Sequence, residues 1–287
     1  MAARVAVLSD AVSHDSIFPI WHRYYGGLFG FENLFLITYA GKAAPFRDVK
    51  LGGLIELPMG YEDSLRQAVI SRFVSALLPC YETVIRVDID EFLVVDPRVA
   101  PSLAGFVNDM KGPYITARGF DVIQLYQEPS LPEKLDGPLL ENRAFAYPNT
   151  ALNKTCIVKH PVTWSTGFHW STVYPKFGPV FMLHMKRIDI NWQIAWSAKM
   201  FESVKDNPTV NQAIKDYYSP SRDKIEAYHK DVGMRPHLSG IDSWYRDEII
   251  SEYLSKLEYR PDYAMYSGEY GHELVLCEII PEWKLLF

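Results

Sequence analysis

The sequence predicts an α/β protein in which a mixed sheet with helices fills residues 1–190 and a helical extension follows over 191–287. Three observations carry this. The chain opens strand, helix, strand (Arg4 to Leu8, Ile17 to Phe29, Leu34 to Tyr39), which implies a parallel βαβ unit whose ligands bind at the carboxyl ends of the strands. An apolar, β-branched run, Val84-Ile85-Arg86-Val87, leads into Asp88, Asp90 and Glu91 before Phe92-Leu93-Val94-Val95 resumes it, the pattern of a buried strand. From Trp192 onward the apolar residues return at helical rather than alternating spacing.

Element by element, Arg4 to Leu8 alternates and ends at Ser9-Asp10. Ile17 to Phe29 places Phe18, Trp21, Tyr25 and Leu28 on one helical stripe and stops at Gly26-Gly27 or Gly30. Leu54 to Leu57 is a short third strand. Tyr61 to Leu78 is a helix with Leu65, Val69, Phe73 and Leu77 on its apolar face and Arg66, Gln67 and Arg72 elsewhere, closed by Pro79. A short helix around Leu103, Phe106 and Val107 precedes a strand from Tyr114 to Gln124. Glu128 to Pro148, rich in proline and charge, has no period and reads as a loop over the site. Lys154 to Asp189 reads as a hairpin returning to the sheet, with Phe181-Met182-Leu183 as its strand. Helices follow over Ile194 to Val204, Asn211 to Tyr218, Ser221 to Lys230 and Ser243 to Leu257. A tyrosine-rich stretch and a last apolar run, Leu274 to Ile280, close the chain.

Composition narrows the function. At 287 residues, 48% hydrophobic and 22% charged, the chain has ample material for a large core, and its net charge of −6 argues against nucleic acid as partner. Cys80, Cys156 and Cys277 lack the close pairs of zinc sites and read as reduced core thiols. No run approaches the roughly 18 apolar residues of a membrane span. A soluble cytoplasmic protein, free or at the inner face of the membrane, is the expectation. Asn153-Lys154-Thr155 matches a glycosylation sequon by chance on this reading.

The chemistry concentrates at Asp88, Asp90 and Glu91. Carboxylates gathered at the end of a buried strand repel one another and lose hydration, and a hard divalent cation, Mg²⁺ or Mn²⁺, is the natural compensation. Asp88 and Asp90 are two apart and share a strand face, so a bend there lets both address one ion that keeps positions open for phosphate oxygens. The run Asp88-Ile89-Asp90-Glu91-Phe92 resembles the DxDEF signature of family 2-like and family 92-like glycosyltransferases, and the similarity runs from about Val5 to about Asp189. Those enzymes have the GT-A fold, the Rossmann-like mixed sheet of nucleotide-diphospho-sugar transferases.

The resemblance implies roles. Ser9 and Asp10 would contact the donor base or ribose, Asp88 would lie near the ribose or the metal, and Asp90 would be the firmer metal ligand. Glu91 would support the loop. Arg66 is the helix residue offered to the donor, and its fork suits a diphosphate. His184 matches the late histidine that completes the metal's protein ligands, with His169 as the competing match, and Lys186 would reach the diphosphate. Asp121, and after it Glu128, would be the general base that takes the acceptor hydroxyl's proton. Asp136 and Arg143 match recurrent loop positions. Trp164, Trp170 and Trp192 are core residues or sugar-stacking platforms.

The implied activity is an inverting, metal-dependent transfer of a sugar from a nucleotide-sugar donor to a glycan acceptor, a polysaccharide or lipopolysaccharide. The extension would bind acceptor, dock peripherally on a membrane or form a homodimer. A metal-dependent nucleotidyltransferase or phosphohydrolase could use the same carboxylates, but the chain carries no glycine-rich phosphate loop or further Asp and His cluster. A silent carbohydrate-binding protein would keep the aromatic residues without needing Asp88, Asp90 and His184.

Overall fold

The computed structural model describes residues 4–11, 17–132, 138–206, 212–271 and 275–287. Asp136, Asn211 and Leu274 lie outside them. The fold is a mixed α/β sheet with helices. Strand β1 (Val5–Asp10) is buried throughout, as a central parallel strand covered on both faces must be. Helix α1 (Phe18–Phe29) buries Phe18, Trp21, Tyr24 and Tyr25 and ends at Gly30. Of the glycines that could stop it, Gly30 is the one at φ 90°, a conformation a side chain would strain, while Gly26 and Gly27 stay inside the helix.

Next come β2 (Leu34–Thr38), β3 (Gly53–Glu56) and α2 (Asp63–Leu77). Strand β4 (Thr83–Arg86) follows and is buried along its length. β3, β2, β1 and β4 lie side by side, all parallel. The run through Asp88 to Val95 is two strands rather than one: β5 (Glu91–Val95) leaves β4 across an acidic turn and pairs antiparallel elsewhere.

Helix α3 (Leu103–Asp109), capped by the Ser102 hydroxyl, leads to the long strand β6 (Tyr114–Ile123). The stretch from Glu128 to Pro148 ends in a strand, β7 (Phe145–Pro148), and β8 (Thr155–Val158) and β9 (Phe177–Arg187) complete the series. β8 bridges β4 and β6 antiparallel. β9 runs parallel to β6 and antiparallel to β5, so that His184 stands opposite Asp121 on one side and Glu91 on the other.

Helices α4 (Ile190–Val204), α5 (Gln212–Tyr218) and α6 (Arg222–Gly233) cover this end of the sheet. Strand β10 (His237–Leu238), helix α7 (Asp247–Ser255), the hairpin β11 (Glu258–Arg260) and β12 (Met265–Ser267), strand β13 (Leu276–Glu278) and α8 (Pro281–Lys284) follow. β13 pairs with β7 and carries β10 at its edge, so the extension adds strands to the main sheet as well as helices. Trp244 and Trp283 are buried with Phe120 and Phe181, and Trp283 donates to the Val95 carbonyl at 3.1 Å. Among the described residues no helix is long and apolar enough to cross a membrane. Cys156 and Cys277 are buried and free, whereas Cys80 is exposed.

Candidate active site at the carboxyl ends of the parallel strands

β1 delivers Asp10 and β4 delivers Arg86 to the same edge, because the two strands are parallel and in register from Val5 opposite Thr83 to Leu8 opposite Arg86. Asp10 is buried and takes a paired contact from Arg66 of α2, Nε to Oδ2 and Nη2 to Oδ1, both at 2.8 Å, while the Tyr39 hydroxyl donates to Oδ2 at 2.9 Å. Such a two-point carboxylate contact fixes the guanidinium plane.

Asp88 gathers three cations. Its Oδ1 receives Arg66 Nη2 and Arg86 Nη2, and its Oδ2 receives Lys154 Nζ at 3.1 Å. Burial disfavours the Asp88 carboxylate, yet Arg66, Arg86 and Lys154 together hold its pKa well below the usual range. Lys154 also donates to Glu91, whose second oxygen accepts the Asp88 backbone N–H at 2.9 Å, so Glu91 braces the acidic turn. Burial and the neighbouring Asp88 charge raise the Glu91 carboxyl above its ordinary value despite Lys154. Phe168 lies beneath the cationic group, its ring 4.6 Å from the Arg66 guanidinium carbon and 3.1 Å from that of Arg86.

Asp90 and His184 form the second half of the site. Asp90 Oδ2 is 3.3 Å from His184 Nε2, and His184 Nδ1 donates to Asp121 Oδ1 at 2.6 Å. Asp121 is 2% exposed, and its other oxygen accepts from Tyr147 at 3.0 Å and Asn149 at 2.8 Å. Tyr228 of α6 continues the chain by donating to the Tyr147 hydroxyl at 2.8 Å. Burial works against a charged His184, but Asp90 and Asp121 outweigh it and raise its pKa to about 10. His184 lowers the pKa of Asp90 against the opposing effect of burial.

The other expected site residues fall as follows. Ser9 is buried at the end of β1 with its hydroxyl unpartnered. Lys186 points its ammonium at Trp196 of α4, 4.1 Å from the ring centre, with the Tyr218 ring at 5.9 Å. His169 binds the Ala151 carbonyl through Nδ1 at 2.6 Å, and burial, then the Lys154 charge, lowers its pKa to about 4. Glu128 spends both oxygens on backbone amides, Leu125 at 2.8 Å and Ala144 at 3.0 Å. Arg143 is fully buried, bound to the Pro129 and Asn142 carbonyls and to Asp189. Trp164 is fully buried, so it is a core residue.

Among the described residues no set of three or more His, Cys, Asp or Glu side chains is grouped to hold a metal ion. The donor set of Asp90 and His184 nonetheless suits a cation as two ligands of a larger shell, the cation taking the place of the proton that His184 Nε2 holds toward Asp90. An oxygen and a ring nitrogen converge, and the far ring nitrogen is held by a buried carboxylate, the arrangement that orients metal-binding histidines. Asp88, expected as a second carboxylate ligand, has both oxygens engaged by cations.

Two site residues carried no assigned role in the sequence. Arg86 is the last residue of the buried strand β4 and Lys154 ends a short turn before β8, and each is at most 5% exposed. A charge within the apolar run Val84-Ile85-Arg86-Val87 is the signal that could have found Arg86, since such a charge must be paired.

No protein-family model matches the chain, and neither does any curated protein. Among solved structures it is similar to mannose-1-phosphate geranyltransferase from Thermus thermophilus, at 13% identity over 78% of this chain and 68% of that one, with a TM-score of 0.31. It is also similar to the mannosyltransferase PcManGT from Pyrobaculum calidifontis in complex with GDP-Man and Mn²⁺, at 10% identity over 80% and 73%, with a TM-score of 0.34. Both likenesses are distant, and neither bears on the chemistry of this site.

Proposed function

We propose that the chain is a glycosyltransferase that moves a sugar from a nucleotide-sugar donor to a glycan acceptor, related to the GT-A enzymes with DxDEF signatures. The observation that carries the reading is the Asp90–His184 pair, 3.3 Å apart and braced by Asp121, beside the three cations at Asp88. One half of such a site suits a divalent cation and the other suits phosphate oxygens. In this division residues 1–190 carry the donor site and 191–287 contribute acceptor contacts.

In the transfer, the acceptor oxygen bonds to the sugar's anomeric carbon as the bond from that carbon to the diphosphate breaks. The electron pair leaves with the diphosphate, and the hydroxyl proton passes to solvent water. Arg66, Arg86 and Lys154 are placed to meet the charge that develops on the departing group, and they are pre-aimed by Asp10, Asp88 and Glu91. Asp90 and His184 would hold a Mn²⁺ or Mg²⁺, which would further neutralise the phosphate oxygens. Asp121 acts by fixing the His184 ring with Nε2 toward Asp90, and we assign it this orienting role in place of general base. Glu128 is assigned to holding the chain between β6 and β7.

Thermal stabilisation against a panel of nucleoside diphosphates, each with Mn²⁺ and with chelator, tests this, because a ligand of the folded state raises apparent stability. A shift with one nucleotide that needs the metal supports the reading. No shift with any of them, from folded protein, refutes it.

A further inference from the structure

The hairpin of β11 and β12 docks on the turn between β8 and β9: the Tyr266 N–H donates to the Ser171 carbonyl at 2.9 Å. Five residues later Gly271 is clasped by Thr150, whose N–H and hydroxyl both reach the Gly271 carbonyl, at 2.8 and 2.9 Å, while Gly271 N–H returns to the hydroxyl at 2.7 Å. Between these anchors stands Tyr270, 44% exposed. Its ring lies 6.3 Å from that of Trp170 with only 24° between planes, and 5.1 Å from that of His169. Tyr270 thus stands half-exposed and stacked on the partly buried Trp170, at a place fixed from both sides.

The surface is tied to the proposed active site by one short segment. Asn149 donates to Asp121, Thr150 clasps Gly271, Ala151 holds His169, and Lys154 reaches Asp88 and Glu91. Lys154, Asp88 and Arg86 lie near enough for their charges to act on the His169 ring. The turn that presents His169 and Trp170 is also strained. Gly167 and Phe168 are consecutive left-handed residues at φ 70° and 61°, and a Cβ on Gly167 would lie 2.7 Å from the His169 ring. Strain of this kind persists where the surroundings over-determine it, and here Phe168 is pinned under Arg66 and Arg86.

We propose that Trp170 and Tyr270 form the acceptor subsite, a ledge on which the C–H face of a pyranose ring stacks while a hydroxyl of the same glycan is turned toward the donor. This rests on the glycosyltransferase reading and deepens it by giving the C-terminal segment the acceptor. An exposed aromatic ring suits the apolar face of a sugar, and Tyr270, backed by Trp170, offers a rigid ring with few rotatable bonds.

The test uses full-length protein loaded with Mn²⁺ and the nucleoside diphosphate found by thermal shift. Maltose, cellobiose, lactose and mannobiose are titrated to about 100 mM, and binding is followed by tryptophan fluorescence and ligand-observed NMR. The expected result is millimolar binding of at least one disaccharide, weakened about tenfold or more in Tyr270→Ala and within about twofold of wild type in Tyr270→Phe, with nucleotide affinity unchanged in both. Disaccharide binding that is indifferent to Tyr270→Ala, or no binding of any of the four, overturns the ledge. If no nucleotide binds but a disaccharide binds through Tyr270, the transferase reading falls and the ledge stands.

Discussion

Lys154 is a buried cation shared by two carboxylates, so its removal is costly. Its side chain is 5% exposed and its partners Glu91 and Asp88 are 1% and 19% exposed, so solvent screens these contacts little. In Lys154→Met the stem's volume is roughly kept, but Glu91 is left as a buried carboxylate with no cation bonded to it. Breaking a buried ion pair from one side costs about 3–5 kcal/mol. In Lys154→Met/Glu91→Gln both charges go, and the amide oxygen introduced at position 91 can still accept the Asp88 N–H, so the loss should fall to about 1–2 kcal/mol. With the loss of the single Glu91→Gln variant subtracted as well, the double-mutant cycle gives the coupling between the two residues.

The same argument fixes a pH dependence. Glu91 already titrates above its unfolded value, so its folded form holds its proton to higher pH than the unfolded chain. A group raised in this way costs stability as pH rises through that window, and losing Lys154 raises it further. The deficit of Lys154→Met is therefore largest at neutral pH and shrinks as pH falls and Glu91 takes up its proton. Urea unfolding followed by far-UV circular dichroism at several pH values measures both effects. A Lys154→Met loss under about 1 kcal/mol, or a double variant no more stable than the single one, would refute the buried network.

Asp121→Asn should lower Mn²⁺ affinity about 10- to 100-fold in calorimetry, because the His184 ring loses the carboxylate that orients it. Glu128→Gln should lose about 1–2 kcal/mol of stability while nucleotide binding and any transfer activity stay at wild-type levels, since its oxygens serve the Leu125 and Ala144 amides. Gly167→Ala should cost about 1–3 kcal/mol in thermal or urea unfolding, for a backbone at φ 70° and a Cβ pressed on His169. His229 is fully buried against the Gln124 carbonyl and Gln193, and burial lowers its pKa to about 4. The unfolded chain binds that proton first, so stability falls by up to about 3 kcal/mol as pH drops from about 6.5 to about 4, and His229→Gln should flatten that slope.

Local pattern was enough for the elements whose neighbours are close in sequence. β1, α1, β2, α2 and β6 lie within a few residues of their expected bounds because burial period and glycine placement are local signals. The pairings that build the site are different in kind. Nothing near Glu91 shows that β5 turns away from β4 to pair with β9, and a three-residue strand such as β13 is too short to display a period. The acidic turn and His184 were visible as residue types, but not the arrangement in which Asp88 faces three cations and Asp121 faces a histidine. Each of those partners is 22 or more positions away, except Arg86. Phe168 at positive φ was hidden for a further reason, since no sequence signal marks an aromatic residue held there by stacking under two arginines.

On the proposed reading, Asp90 and His184 present a cation to phosphate oxygens gathered by Arg66, Arg86 and Lys154. Calorimetric titration of the stabilising nucleoside diphosphate into wild type and Asp90→Asn, with Mn²⁺ and with chelator, tests it most directly. The account predicts binding to wild type that needs Mn²⁺ and is lost in Asp90→Asn although that variant folds. Equal binding in chelator, or an Asp90→Asn protein that binds the nucleotide with Mn²⁺ as wild type does, would contradict it.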